Sequence, residues 1–250
     1  LTIGWLCKAM DAVLSTHAAA EAFIPDLRQA LGGRGADTKW LDEYLDDSVK
    51  LLDTVRALLD VVADMKTYRE NVDLVVHTLE NKNRFGLNRA RVALHRCVDA
   101  LRKKEEGQGH GSSRSRLEHC SSMLKRMGEK LRLEDANKGS SIFRVIYASQ
   151  VTTIFICGVL ASALSFKPKP SCPSICVGGS LPWSQSLRSL QLKLKEHIEK
   201  TKSKGHAAAA FVLDEVNKTD VAVRSLSAKL DKSMLGVKPS SSSMCGAPEC

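Results

Sequence analysis

Aromatic side chains are scarce in this chain: 3 Trp, 3 Tyr and 6 Phe in 250 residues. A nucleic-acid groove sets stacking platforms beside its cations, whereas these aromatics lie mostly in apolar helical stripes. This scarcity argues against nucleic acid as the partner, although 37 Lys plus Arg against 28 Asp plus Glu give a formal charge of +9. That balance points to an acidic protein surface or to anionic lipid. Alternating strand-like runs are scarce too, which argues against a sheet-based fold. The eight cysteines lack the short, regularly spaced frame of a secreted disulfide protein and read as reduced thiols. Thr2 to Met10 lacks the basic-then-apolar order of a signal peptide. Cys250 stands last rather than fourth from last, so the terminus is no prenylation box. Residue 1 is Leu, so the start reads as a fragment boundary.

A hydrophobic share of 43% and a charged share of 26% are those of a folded chain able to bury a core. Apolar residues recur at three- and four-residue steps, and the expected fold class is all-α: a multi-helix bundle with one long hydrophobic central helix, a flexible basic linker and a disordered C-terminal tail. Residues 1–101 form an N-terminal helical region. Its first helix is expected over Ile3 to Phe23, with Leu6, Ala9, Met10, Val13 and Leu14 inward, ending before Pro25 because proline disfavours helical geometry in the residue it follows. Gly32 to Gly35 reads as a loop. A second helix carries Leu41, Tyr44, Leu45, Leu52, Val55, Leu59 and Val62, with Asp42, Glu43, Asp46 and Asp47 complementing the macrodipole of its first turns. A third, from about Glu70 to Lys104, carries Leu87, Ala90, Leu94, Cys97 and Leu101, with an interruption near Phe85-Gly86.

Residues 102–116 read as a flexible Gly/Ser/basic linker. Residues 117–141 restart the pattern as an amphipathic helix with Leu117, Cys120, Leu124, Met127 and Leu131 on one face. Residues 142–166 hold the hydrophobic helix, 167–182 a Pro/Ser/Gly loop and 183–235 a C-terminal helical pair, its members at about Leu187 to Lys202 and Ala207 to Leu235. The inward residues of that pair are Leu187, Leu190, Leu194 and Ile198, then Phe211, Val216, Val223, Leu226 and Leu230. Residues 236–250, with a four-serine run, read as a disordered tail.

The central segment, Val145 to Phe166, carries no charge and is bounded by Arg144, Lys167 and Lys169. As a helix it is long enough to span a bilayer core. Its apolar members, Val145, Ile146, Val151, Ile154, Phe155, Ile156, Val159, Leu160, Leu164 and Phe166, favour insertion by about 3–6 kcal/mol in total. Ser149, Gln150, Thr152, Thr153, Ser162 and Ser165 oppose it, because each needs a hydrogen-bond partner in lipid. Two environments satisfy the segment: lipid, or a bundle interior that surrounds it with other helices. The first makes the chain membrane-associated, single-pass or peripheral and facing the cytoplasm; the second leaves it cytoplasmic. Gly158 and Ser162, four apart, allow close approach of another helix.

No catalytic, cofactor-binding or metal-binding residue is assigned. Gly107-Gln108-Gly109-His110-Gly111 lacks the preceding strand and following helix of a nucleotide loop. His95, Cys97, His119 and Cys120 supply ligand types without zinc spacing, and the two cysteines fall on inward stripes. Cys172, Cys176, Cys245 and Cys250 are candidates for oxidation or lipidation. The acidic group at 42–47 reads as a solvated helix start rather than a carboxylate cluster. Lys193, Lys195, Lys200 and Lys202 make one basic helix face, a candidate surface for an acidic protein partner or anionic head groups.

Three blocks then suggest a family. Trp5 to His17 (WLCKAMDAVLSTH), Trp40 to Leu52 (WLDEYLDDSVKLL) and Val145 to Ala163 resemble the plant BYPASS family and occur in its order. The resemblance implies a mostly helical, non-enzymatic regulatory or adaptor protein of plant growth and development, associated with restraint of a root-derived mobile signal and often with one membrane span. It implies no cofactor, and protein partners in exocyst and secretion pathways. The alternatives are a soluble helical scaffold for an acidic protein, and an enzyme acting on a small hydrophobic signal molecule in a cavity between helices.

Overall fold

The computed structural model describes residues 1–30, 35–80, 84–106, 113–131, 141–164, 174–177, 181–203 and 213–235. Among these residues the chain forms seven α-helices and no strand. They are α1 (Ile3–Ala30), α2 (Gly35–Glu80), α3 (Arg84–Glu106), α4 (Ser113–Lys130), α5 (Ser141–Leu164), α6 (Ser184–Ser203) and α7 (Asp214–Leu235). The expected all-α class is the observed one. Helix α5 is the axis, packed by α1, α4 and one end of α2, while α2 also lies along α3 and α4, and α7 closes on α3.

The core follows from α5. Ile146, Val151, Ile154, Phe155, Ile156, Val159, Leu160 and Leu164 are all buried, each contributing roughly 1.5–3 kcal/mol as an upper figure. Opposite them lie Leu6, Ala9 and Val13 of α1, and Leu117, Cys120, Leu124 and Met127 of α4, the inward residues that spacing predicts, joined by Ala20 of α1. Gly128 lets Ile175 approach: a Cβ there would sit 3.4 Å from Ile175 Cγ1 and 3.8 Å from Ile154 Cγ2. Leu14 is 64% exposed, one position outside the buried stripe of α1.

Helix α1 does not end before Pro25 but runs through it. Proline removes one amide hydrogen bond, yet the preceding turns are already anchored on α5, and an established helix extends at little nucleation cost. Thr2 Oγ1 accepts from the Trp5 amide at 3.2 Å, and Glu215 Oε1 of α7 accepts from the Ile3 amide at 3.1 Å. Two of the orphan donors at this helix start thus find partners.

Helix α2 corrects the reading most. It is continuous over 46 residues, to Glu80, and Phe85-Gly86, the expected interruption, lie inside α3, which starts at Arg84. Gly35 already belongs to it, so the acids at 42–47 sit beyond its first turn, where the macrodipole has faded. The stripe expected inside faces outward: Leu45, Leu52, Val55, Leu59 and Val62 are exposed. Buried or half-buried instead are Leu51, Leu58, Met65, Val72 and Leu79, with Thr54, Val61, Tyr68 and Val75. Those residues repeat every seven from Leu51 to Leu79, whereas the rival stripe meets Lys66, Arg69, Glu70 and Asp73 after Val62. The longer seam buries more and takes the core.

The linker expected at 102–116 is narrower, since α3 reaches Glu106 and α4 starts at Ser113. Lys103 to Glu106 are good helix formers, so their charge does not end the helix. Residues 107–112, 132–140, Phe166, 204–212 and the tail at 236–250 lie outside the described residues. Of the loop at 167–182, residues 174–177 and 181–182 are described and non-helical. Ile175 and Val177 are buried there, and their carbonyls accept from Gln191 Nε2 at 3.1 Å and Arg188 Nη2 at 2.9 Å of α6.

Candidate functional site

The residues that decide how α5 can be used are its polar ones. Ser149, Gln150, Thr153 and Ser162 are buried along with the apolar set. Gln150 Nε2 donates to Asp47 Oδ2 of α2 at 3.0 Å, and Lys50 Nζ lies 3.0 Å from the other oxygen of Asp47. Thr153 Oγ1 donates to the Ser149 carbonyl at 2.8 Å and lies 2.8 Å from His17 Nε2 of α1. A hydroxyl has one proton; with that proton on the carbonyl, His17 must carry a hydrogen on Nε2 and donate it. Lys50 is held above its usual pKa, first by Asp46 and then by Asp47, so the Lys50–Asp47–Gln150 chain begins in a firmly charged cation.

Three core hydroxyls lack such ties. Tyr147 Oη and Ser149 Oγ are buried without a hydrogen-bond partner. The Tyr147 ring leans on Trp183, centroids 6.2 Å apart, and burial raises its pKa. Tyr68 Oη is also buried and unpartnered; burial raises its pKa, with the charge of Asp220 adding. Asp220 is 2% exposed and accepts from Arg224 Nε with both oxygens, at 2.9 and 3.0 Å, which balances the one deeply buried carboxylate of α7.

The expected membrane-or-core residues come together on α5: Ile146, Val151, Ile154, Phe155, Ile156, Val159, Leu160 and Leu164 are buried and Val145 is half-buried. Phe143–Leu164 has a mean hydropathy of 1.7, enough by length and composition to cross a bilayer, and 78% of that window is buried inside the bundle. Lys193, Lys195 and Lys200 stand exposed on α6, away from α5, and the side chain of Lys202 lies outside the described residues. Cys97 and Cys120 are buried free thiols, as their stripes predict, with pKa values raised by burial. His95 instead meets Asp231 of α7 at 3.4 Å. Among the described residues no three His, Cys, Asp or Glu side chains converge to hold a metal.

Sequence reasoning missed His17 and Asp47 as partners of α5. The available signal was indirect: polar residues inside an uncharged helix require partners, but nothing in the spacing names which helix supplies them.

The Protein ROH1-like family matches residues 1–130. Among curated proteins, the chain is 29% identical to Arabidopsis thaliana "Protein BPS1, chloroplastic" over 202 residues, 80% of this chain and 54% of that protein. It is also 29% identical over 219 residues to "UPF0496 protein 4" of Oryza sativa subsp. japonica and 28% identical to its indica counterpart, in both cases over 86% of this chain and 46% of the relative. The chain spans about half the length of these relatives, and none of their names denotes an enzymatic activity. No solved structure matches significantly. With three blocks in BYPASS order on an all-α frame, and the family match covering more than half its length, the chain belongs to the ROH1-like, BYPASS-related family of plant proteins.

Proposed function

We propose that the chain is a non-catalytic plant regulatory protein that works as a helical adaptor, with α5 as the core of its bundle and the outer helix faces as its binding surfaces. The observation that carries this reading is the pair of ties on α5. Gln150 to Asp47 and Thr153 to His17 give two of its polar side chains partners on two other helices, and lipid would offer the Gln150 amide none. The setting we assign is growth and development, including restraint of a root-derived mobile signal, with partners in secretion and exocyst pathways, as the BYPASS resemblance implies.

Alkaline carbonate extraction of the full chain expressed in plant cells tests the adaptor reading. Release of folded protein into the supernatant is the expected result, and retention in the pellet overturns it. Normal growth and unchanged root-to-shoot signalling in plants lacking the protein would refute the regulatory setting. A second reading, in which α5 attaches the chain to a membrane with the bundle facing the cytoplasm, is favoured by the length and hydropathy of Phe143–Leu164 and by Arg144 at its border. Retention in the pellet would select it. The name of the Arabidopsis relative places that protein in the chloroplast, so a fluorescent fusion of the full chain imaged in leaf cells tests a plastid location.

A further inference from the structure

Among the described residues, the outward stripe of α2 gathers more exposed large apolar side chains than any other helix face. Leu45, Val49, Leu52, Val55, Leu59 and Val62 are 52%, 59%, 60%, 38%, 61% and 53% exposed. A soluble protein rarely shows so many large apolar side chains together unless they meet a partner. Leu45, Val49, Leu52 and Leu59 fall on alternating four- and three-residue steps of a second seam, interrupted only by Arg56, with Val55 and Val62 on its flank. A surface of this form fits one face of another helix.

Charge selects the kind of helix. The chain carries +9 overall, yet residues 42–64 of α2 hold seven carboxylates against two cations, a local net of −5. Asp46, Asp53 and Asp60 recur every seven residues along one edge of the stripe, and their side chains are 68%, 64% and 43% exposed. Their internal partners, Lys50, Arg56 at 3.9 Å and Arg116 at 2.6 Å, are exposed pairs that hold these carboxylates only weakly. An anionic membrane is repelled by such an edge. A second copy fits no better: antiparallel pairing sets Asp53 against Asp53 and Asp46 against Asp60, and parallel pairing sets Arg56 against Arg56.

We propose that the outward face of α2 between Leu45 and Val62 is a docking site for an amphipathic helix of a partner protein, with aliphatic residues on its seam and Lys or Arg along its edges. This surface rests on the adaptor reading and gives it a partner chemistry opposite to the one the total charge suggests. The basic edges pair with Asp46, Asp53 and Asp60, and the seam covers the leucines.

The test uses the full chain and two labelled synthetic helical peptides of about three heptads, leucine on the seam, one with lysine and one with glutamate at both edge positions. Fluorescence anisotropy is expected to show binding of the lysine peptide and none of the glutamate peptide. Leu52→Glu/Leu59→Glu, at exposed positions where folding is spared, weakens it about tenfold or more, and Asp46→Asn/Asp53→Asn weakens it several-fold. Equal binding of both peptides, no binding of the lysine peptide, or an unchanged affinity in the leucine variant overturns the proposal. So does a wild-type dimer that the leucine variant converts to monomer, or vesicles of anionic phospholipid that bind wild type and not the variant. Circular dichroism confirms that each variant is folded. Carbonate extraction does not depend on this stripe, so failure of the docking surface and failure of the adaptor reading are told apart.

Discussion

Replacing Gln150 by Leu separates a bundle core from a lipid-facing helix, because the two environments give the substitution opposite signs. In the bundle, Gln150 is 8% exposed and donates to Asp47 at 3.0 Å. A hydrogen bond to a charged acceptor contributes about 1.5–3 kcal/mol. Asp47 keeps Lys50, and its side chain is 17% exposed, so water recovers part of that loss. The leucine recovers up to about 1 kcal/mol more through its extra apolar surface. The net destabilisation is about 1 kcal/mol, or roughly 2–4 °C in Tm for a chain of this length.

In lipid, the same change removes a group that needs a partner and favours insertion. Thermal and urea unfolding followed by far-ultraviolet circular dichroism measure the stability. A double-mutant cycle with Asp47→Asn isolates the pair, with an expected coupling of about 1 kcal/mol. A raised Tm for Gln150→Leu together with zero coupling would refute the assignment of α5 to the core.

Burial pushes the Cys157 thiol up to about 11, so in the folded protein Cys157 is expected to resist alkylation at pH 8 while exposed Cys7 and Cys176 react; mass spectrometry of the labelled peptides reads this directly. The raised pKa means that the folded state holds the proton longer than the unfolded chain does. The contribution of Cys157 is therefore fully present below pH 9 and is lost as pH rises from 9 to about 11, with the raised Tyr68 adding in the same direction. Gly128→Ala places its Cβ in ordinary contact with Ile175 and removes a helix-interior glycine, so unfolding should show a gain of up to about 1 kcal/mol. Gly128→Leu overfills the same gap and costs about 1–3 kcal/mol. Asp220→Ala leaves Arg224 without its bidentate partner and should cost about 1–3 kcal/mol, since Arg224, with its side chain 38% exposed, can turn to water.

The all-α class and most of the inward faces of α1, α3, α4, α6 and α7 were legible because each rests on local periodicity, with Leu14 and, at the start of α3, Leu87 (39% exposed) as the exceptions; α5, apolar all round, left lipid and bundle core both open. Ala90, Leu94 and Cys97, or Leu117, Leu124 and Met127, point one way on any helix that spans them. Helix α2 was not legible in this manner. It carries two apolar stripes of similar strength near its start, and a choice between them depends on which one finds α3, α4 and α5 along its full length.

Pro25 misled because its local preference for a break is outweighed once neighbouring turns are anchored, and Lys103 to Glu106 misled because their charge suggested a loop although Lys and Glu favour helix. The amino-acid order alone determined that a charge-free helix near the middle of the chain must be hidden from water. That Asp47 and His17 supply its polar partners, and that Leu52 and Leu59 stay outside, was decided only when distant helices came together, because a side chain's partner is a property of three-dimensional proximity and not of spacing.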